Sequence, residues 1–275
     1  MEASDFDEAD RVAQKAFGRS LSFRPMRLLH QAIEPHGLWV ATLGQRLVGA
    51  VSCVDYDPLA YIGLMAVDPD FQRRGIARQL IREALAWLDG RRTKVALLDA
   101  TDAGAPLYEQ LGFVDDSQAY VFERTDTAPV PGCPSTVRAA DEQDLADIIE
   151  FDAPIFGANR GKLFEALWRE HGQRAIVTRD SRGAINGYLL ARDPVLGPWA
   201  ASDVGVADQL LTSALTLSYS QPPMVLVPRS NELGRNLLLG RGFRETRRLR
   251  HMRRGGDCPP GRASGLYGQS SFGHG

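Results

Sequence analysis

The sequence predicts an α/β protein of the α+β mixed-sheet kind, made of two tandem copies of one unit packed as an intramolecular pseudo-dimer. Three observations carry that expectation. An apolar strand, Tyr61 to Val67, passes through Asp68-Pro69-Asp70-Phe71-Gln72-Arg73-Arg74 to Gly75, and a helical pattern begins at Ile76. A hairpin pattern lies ahead of it, so an antiparallel meander runs into a strand–helix–strand unit. The chain also matches itself at an offset of 130 residues, which sets Gly75 on Gly205, Ala77 on Ala207, Leu80 on Leu210, Ala84 on Ala214 and Leu85 on Leu215. A second stretch, Thr101-x-x-Gly104-x-x-Leu107-Tyr108-x-x-x-Gly112-Phe113, recurs at the same offset as Asn231-x-x-Gly234-x-x-Leu237-Leu238-x-x-x-Gly242-Phe243. A fixed internal period of this kind marks repeated structure.

Taken in order, Asp5 to Phe17 and Arg24 to Ile33 read as helices. Leu38 to Leu43 and Leu47 to Tyr56 flank the turn Gly44-Gln45-Arg46 and read as a hairpin. Ile76, Leu80, Ile81, Ala84, Leu85 and Leu88 recur at helical spacing and give the helix Ile76 to Leu88 one apolar face. A strand from Val95 to Ala100, a helix from Pro106 to Leu111 and a final strand from Tyr120 to Arg124 complete the copy. Three prolines between Ala128 and Pro134 suit neither a helix interior nor a central strand. The expected division is therefore 1–127, a linker at 128–135, and 136–275. Val137-Arg138-Ala139 then reads as a lead strand that the first copy lacks. Two origins stay open: the first copy has lost its edge strand, or the true start lies upstream.

Composition narrows the class. With 44% hydrophobic and 24% charged residues over 275 positions, the chain has material for two packed cores. A net charge of −2 gives no whole-molecule attraction to nucleic acid or an anionic membrane, so any anion site must be local. Cys53, Cys133 and Cys258 are widely spaced and odd in number, which argues against a disulfide framework or a zinc site and suits a reducing cytoplasm. The acidic N-terminus lacks a signal-like apolar region, and no apolar run reaches the ~18 residues of a membrane span.

The loop from Gln72 to Arg78 is a socket for a pyrophosphate. Gly75 permits close backbone approach, helix N–H groups follow it, and Arg73, Arg74 and Arg78 add local charge. The spacing Gln72-x-x-Gly75-x-Ala77 resembles the acyl-CoA-binding signature of the GNAT N-acetyltransferase superfamily, and the later strand followed by Leu107-Tyr108 and Gly112-Phe113 resembles that family's other hallmark. The tandem layout resembles a bacterial two-domain subgroup.

The resemblance implies a fold in which two parallel strands splay and the donor's arm lies between them. It places Met65, Ala66 and Val67 beside the thioester, Gln72, Arg73, Arg74, Gly75, Ile76, Ala77 and Arg78 at the pyrophosphate, and Thr101, Gly104 and Leu107 along the arm. It gives Tyr108 the role of general acid; its hydroxyl, with an ordinary pKa near 10, is protonated at neutral pH. It implies acetyl-CoA as acyl donor, no metal, direct attack by a primary amine on the thioester, and a small-molecule or amino-acid-like acceptor. An ammonium must lose its proton first, and Asp55, Asp57, His30 and Asp99 are equally open candidates for that base.

The second copy carries Ala201-Ser202-Asp203-Val204-Gly205-Val206-Ala207 at the loop and Leu238 at the tyrosine position. It has no cation where an anion would bind and no proton to give, so it is expected to be chemically silent. The run Arg241, Arg244, Arg247, Arg248, Arg250, Arg253 and Arg254 reads as the exposed face of a last strand rather than a nucleic-acid platform, since no aromatic stacking surface accompanies it. Residues 268–275 read as a mobile tail or a short closing strand. The acceptor pocket is expected between the Phe17 to Phe23 loop and the second copy. Expected assembly is a monomer with its internal pseudo-dimer or a homodimer, without nucleic-acid or membrane partners. The alternative function is a non-catalytic acyl-CoA-binding sensor.

Overall fold

The computed structural model describes residues 1–18, 22–130, 132, 134–228, 230–256 and 263–275. The first copy opens with α1 (Phe6–Phe17) and α2 (Arg24–Ile33). Strands β1 (Leu38–Leu43), β2 (Arg46–Asp55) and β3 (Leu59–Val67) form the antiparallel meander. Helix α3 (Ile76–Arg91) crosses to β4 (Val95–Ala100), which runs parallel to β3, and α4 (Ala105–Glu109) and β5 (Val114–Arg124) follow.

The second copy repeats this order with a lead strand: β6 (Arg138–Ala139), α5 (Asp144–Phe156), α6 (Gly161–His171), β7 (Ala175–Arg179), β8 (Ile185–Ala191), β9 (Leu196–Ala201), α7 (Val204–Ala214), β10 (Met224–Pro228), α8 (Glu232–Gly240), β11 (Phe243–Gly255) and β12 (Leu266–Gly268). Among the described residues β1 is the edge strand of the first copy, whereas β6 pairs with β7 in the second.

The two copies exchange a strand. One sheet runs β1-β2-β3-β4-β11-β5-β10 and the other β12-β9-β8-β7-β6. β11, from the second copy, lies between β4 and β5 of the first, antiparallel to both. β5 in turn lies between β11 and β10. Each copy therefore closes its sheet with the equivalent strand of the other, β11 beside β4 and β5 beside β10.

The exchange corrects two expectations. The arginine-rich stretch is a strand face, but of β11, which lies inside a sheet and is followed by β12, and it is only partly exposed, with several charges matched: Arg250 pairs with Asp115 and Glu109, Arg253 with Asp116, and Arg241 with Asp208. β5 begins at Val114 rather than near Tyr120, because Asp115 to Gln118 are strand residues facing that arginine ladder. Their polarity reads as loop until the partner strand is known.

Core packing follows the apolar patterns. Leu80, Ile81, Ala84, Leu85 and Leu88 of α3 bury against Val51, Cys53, Ala60, Ile62, Ala96 and Leu98; each such aliphatic side chain contributes roughly 1.5–3 kcal/mol when buried. On the opposite face α2 meets α6, with Leu29 and Ile33 packed among Leu163, Ala166 and Leu167 over Tyr61 and Leu97. The tail is ordered by burial: Gln269 to Ser271, Gly273 and His274 are buried, but strand β12 ends at Gly268 and the residues after it form bends and turns, so neither the mobile reading nor the closing-strand reading describes 269–275. Cys53 is buried in β2. Cys133 and Pro131 of the linker, Cys258, and residues 19–21 of the loop expected to line the acceptor pocket lie outside the described residues. No helix among the described residues is long and apolar enough to cross a membrane.

Candidate active site

At the end of β3, Asp68 accepts the Asp70 N–H (3.0 Å) and caps the single turn Pro69–Phe71. Lys15 and Arg46 hold its carboxylate at 2.7 and 2.9 Å. This base fixes the loop that follows. Arg73 (φ 60°) and Gly75 (φ 81°) both take the left-handed conformation, which turns the chain sharply into α3. The first bond of the helix runs from Gln79 N–H to Gly75 O (3.0 Å), so the N–H groups of Ile76, Ala77 and Arg78 precede it as the helix's unpaired donors. Gln72, Arg73, Arg74, Gly75 and Arg78 are exposed, with Ile76 and Ala77 half-buried.

The three arginines differ. Arg74 stacks on Phe71 (5.1 Å) and Arg78 bonds Gln110 beyond α4. Arg73 makes no side-chain hydrogen bond or ion pair among the described residues.

β3 and β4 pair only from Leu59 to Tyr61 against Val95 to Leu97. Beyond that they part, and β3 departs from regular pairing with β2 between Ala50 and Ser52, opposite Leu64 (φ 50°). Asp68 N–H bonds Val48 O of β2 (2.8 Å), and strand backbone groups alternate between edges. Met65 and Val67 N–H therefore face the splay, while Ala66 N–H faces β2. Gln72 Nε2 donates to Val67 O (3.0 Å) and ties the loop to this strand.

Across the splay, Thr101 Oγ1 accepts the Gly104 N–H (3.2 Å) in the turn that leads into α4; Leu107 is half-buried on that helix. Tyr108 packs edge-on to Phe113 with ring centres 5.9 Å apart. Burial pushes its hydroxyl up to about 12, so it stays protonated. Among the described residues that hydroxyl has no hydrogen-bond partner.

At the apex of the splay, side chains of both copies meet. Tyr61 Oη donates to Asp99 Oδ2 (2.5 Å) and accepts from Gln269 Nε2 (3.0 Å). His251 Nδ1 donates to Asp99 Oδ1 (2.8 Å). Burial opposes charge on the His251 ring, but the Asp99 hydrogen bond and charge outweigh it and raise its pKa. Of the four base candidates, Asp99 is the one in this group. Asp55 is held by Arg91 (3.0 Å) and Asp57 is exposed in a turn. His30 is wholly buried, donates from Nε2 to Cys53 O (3.1 Å), and is pushed down to about 3 by desolvation. Sequence reasoning missed His251 and Gln269, because only the strand exchange and the tail's course bring them to Asp99 and Tyr61.

In the second copy the corresponding splay is filled by polypeptide. β12 pairs with β9, Gln269 N–H donates to Leu226 O of β10 (2.8 Å), and Asn231 Nδ2 donates to Leu266 O (3.0 Å). Asp203 accepts the Val206 N–H (3.0 Å) at the start of α7, a hydrogen bond that helps hold its pKa down. A carboxylate thus stands at the N-terminus where an anion would bind. Leu238 is buried in the core.

Two family models, each described as an acetyltransferase (GNAT) domain, match residues 34–115 and 148–268. The chain is 27% identical over 201 residues to the Bacillus subtilis uncharacterised N-acetyltransferase YitH, covering 70% of each. It is 25% identical over 187 residues to the holothin acyltransferase of a Pseudoalteromonas species, covering 66% of this chain and 62% of that one. A crystal structure of a proposed acetyltransferase from Pyrococcus horikoshii superposes with a TM-score of 0.86 at 23% identity, covering 99% of this chain and 93% of that chain, and so shares the whole tandem fold. The chain belongs to the GNAT acetyltransferase family.

Proposed function

We propose that the first copy transfers an acetyl group from acetyl-CoA to a primary amine of a small acceptor by direct attack on the thioester, and that the second copy serves as its scaffold. The observation that carries this reading is internal to the fold. In the second copy an extended peptide bonds both splayed strands and the side chain of Asn231, the counterpart of Thr101. In the first copy β3 and β4 part with no strand of the described chain between them. A pantetheine arm is an extended chain carrying two amides, so it fits where such a peptide fits. When bound, the donor supplies an electrophilic thioester carbonyl.

The chain's own groups do the rest. Met65 and Val67 N–H donate into the splay, and the donors of Ile76, Ala77 and Arg78 meet the pyrophosphate. Tyr108, protonated and unpartnered, hands its proton to the departing thiolate. His251 directs Nδ1–H at Asp99, which leaves the Nε2 lone pair to accept the ammonium's proton.

The deciding experiment follows release of CoA thiol from acetyl-CoA with polyamines, amino acids, aminoglycosides and peptides, for the wild type and Tyr108→Phe. Turnover with one amine, reduced in the variant while CoA affinity holds, supports the transferase. Tight CoA binding without turnover across the panel favours a sensor, and absence of CoA binding sinks the reading of the loop.

A further inference from the structure

Arg27, on α2, is 0% exposed, and its Nε and Nη1 are buried without a hydrogen-bond partner among the described residues. Among the described residues its one side-chain bond runs from Nη2 to Ala9 O (3.2 Å). Desolvation pushes its pKa down to about 10, and Asp10 is the charge that resists. That carboxylate is otherwise engaged, accepting from Phe23 N–H (2.6 Å) and Ser22 Oγ (2.8 Å). A buried guanidinium with two idle donors is costly, and such groups are ordinarily matched by an anion.

Its location connects it to the chemistry. Ala9 packs in one cluster with Ala50 and Ala66, just past the irregular turn of β3 at Leu64. His30, one helical turn beyond Arg27, contacts His274 (3.3 Å), and a Cβ on Gly63 would lie 2.3 Å from Gly273 Cα. Arg27 is therefore flanked by contacts to both ends of the segment Gly63 to Ala66, which leads into Met65, Ala66 and Val67, where the thioester is expected.

Two orphans on the tail have the opposite polarity. Gln269 Oε1 and His274 Nδ1 are buried without partners. Since His30 Nε2 donates to Cys53 O, its Nδ1 accepts from His274 Nε2, and neutral His274 keeps a bare Nδ1 lone pair. Gln269 holds Tyr61 at the splay apex through its amide nitrogen.

We propose that Arg27 binds the carboxylate of the acceptor, so that the substrate is an amino-acid-like amine bearing an anionic group. The proposal deepens the transferase reading and rests on it. Arg27 contributes binding and orientation: either idle nitrogen, Nε or Nη1, together with the Nη2 N–H that Ala9 leaves free, meets the two carboxylate oxygens, and the amine is left facing the apex. Ser270 to His274 cover this face of Gly63 and are ordered in the unliganded chain, so entry requires that segment to open against its bonds from Tyr56 Oη to His274 O (3.0 Å) and from Ser270 N–H to Gly275 O (2.8 Å).

The test uses matched pairs, lysine with cadaverine, phenylalanine with phenethylamine and tryptophan with tryptamine, on the full chain, Arg27→Met and Arg27→Lys. Thermal melting with each compound in the presence of CoA reports binding, and thiol release from acetyl-CoA reports transfer. The carboxylate member of at least one pair is expected to raise the melting temperature where its decarboxylated twin does not. Where transfer occurs, kcat/KM should favour the acid by about tenfold to a hundredfold, the worth of hydrogen bonds to a charged group. Arg27→Met should erase both preferences, and its unliganded melting temperature should hold or rise, because an unpaired buried charge is removed. Three results overturn the proposal: no carboxylate-dependent shift in any pair, a preference that survives in Arg27→Met, or a clear fall in the unliganded melting temperature of both variants, which would make Arg27 a structural donor to Ala9. Absence of CoA binding, read separately, overturns the transferase instead.

Discussion

His251 Nδ1 lies 2.8 Å from Asp99 Oδ1 although 152 residues separate them in the chain. The bond joins β11 of the second copy to β4 of the first at the level where β3 departs, and the direct pairing of His251 with Asp99 across the two strands sets it. A half that carries Asp203 at the start of α7 and Leu238 in place of a tyrosine still sets a titratable group beside Asp99 and Tyr61 of the other half. That relationship gives the duplicated copy a reason to persist beyond packing.

His251 should link stability and activity to pH. Its native pKa is raised above the ordinary histidine value of ~6.5, so the stability it adds is fully present below that value and fades as pH rises through the native one. Melting of the wild type and His251→Gln from pH 5 to 9 should show the widest gap at the acid end and a narrowing gap as pH rises; a gap that widens with pH contradicts the assignment. In turnover, neutral His251 is the working form, so kcat should climb with pH on a limb that His251→Gln lacks, at a cost of about a hundredfold or more in rate.

What the sequence carried was local. The α3 face, the loop at Gly75 and the positions of Tyr108 and Leu238 were legible because helical spacing, left-handed glycine and motif spacing act over a few residues. The partners of Asp99 and Tyr61 were not. Strand exchange is decided by pairing between segments 130 residues apart that share one pattern, so either arrangement satisfies the periodicity of β5 and β11. Asp115 and Asp116 likewise look like loop residues until Arg250 and Arg253 stand opposite them. Arg27 reads as an ordinary polar residue on an amphipathic helix, and only its burial sets it apart.

Tyr108→Phe should separate chemistry from folding. The hydroxyl has no hydrogen-bond partner among the described residues, and the ring's packing on Phe113 survives the change. Loss of an unpaired hydroxyl leaves no orphan behind, so the melting temperature should stay within about 1–2 °C. CoA affinity should hold as well, while kcat drops by roughly tenfold to a thousandfold if the hydroxyl protonates the thiolate. Unchanged kcat would return Tyr108 to the core.

Gly75→Glu should damage CoA binding more than Arg73→Ala. At φ 81° an L side chain is strained by about 1–2 kcal/mol, and the new carboxylate stands at the donors of α3. Loss of at least about a hundredfold in CoA affinity is expected by calorimetry, against only a few-fold for Arg73→Ala, whose exposed charge is screened by salt. Equal losses would mean that side-chain charge, not backbone geometry, builds the socket.

The chain should bind a single CoA. Three features close the second copy: β12 fills its splay, Asp203 places a carboxylate at the start of α7, and Leu238 replaces the tyrosine. The first of these dominates, because displacing β12 would break the bonds from Gln269 N–H to Leu226 O and from Asn231 to Leu266 O and expose Leu266 and Tyr267, both buried. Relieving the repulsion alone should therefore restore nothing. Calorimetric titration of the wild type and of Asp203→Asn should each give one equivalent per chain, and Gly75→Glu should remove the binding heat of that one site. A second equivalent in either protein would show that β12 yields to the donor and that the second copy keeps a working gap.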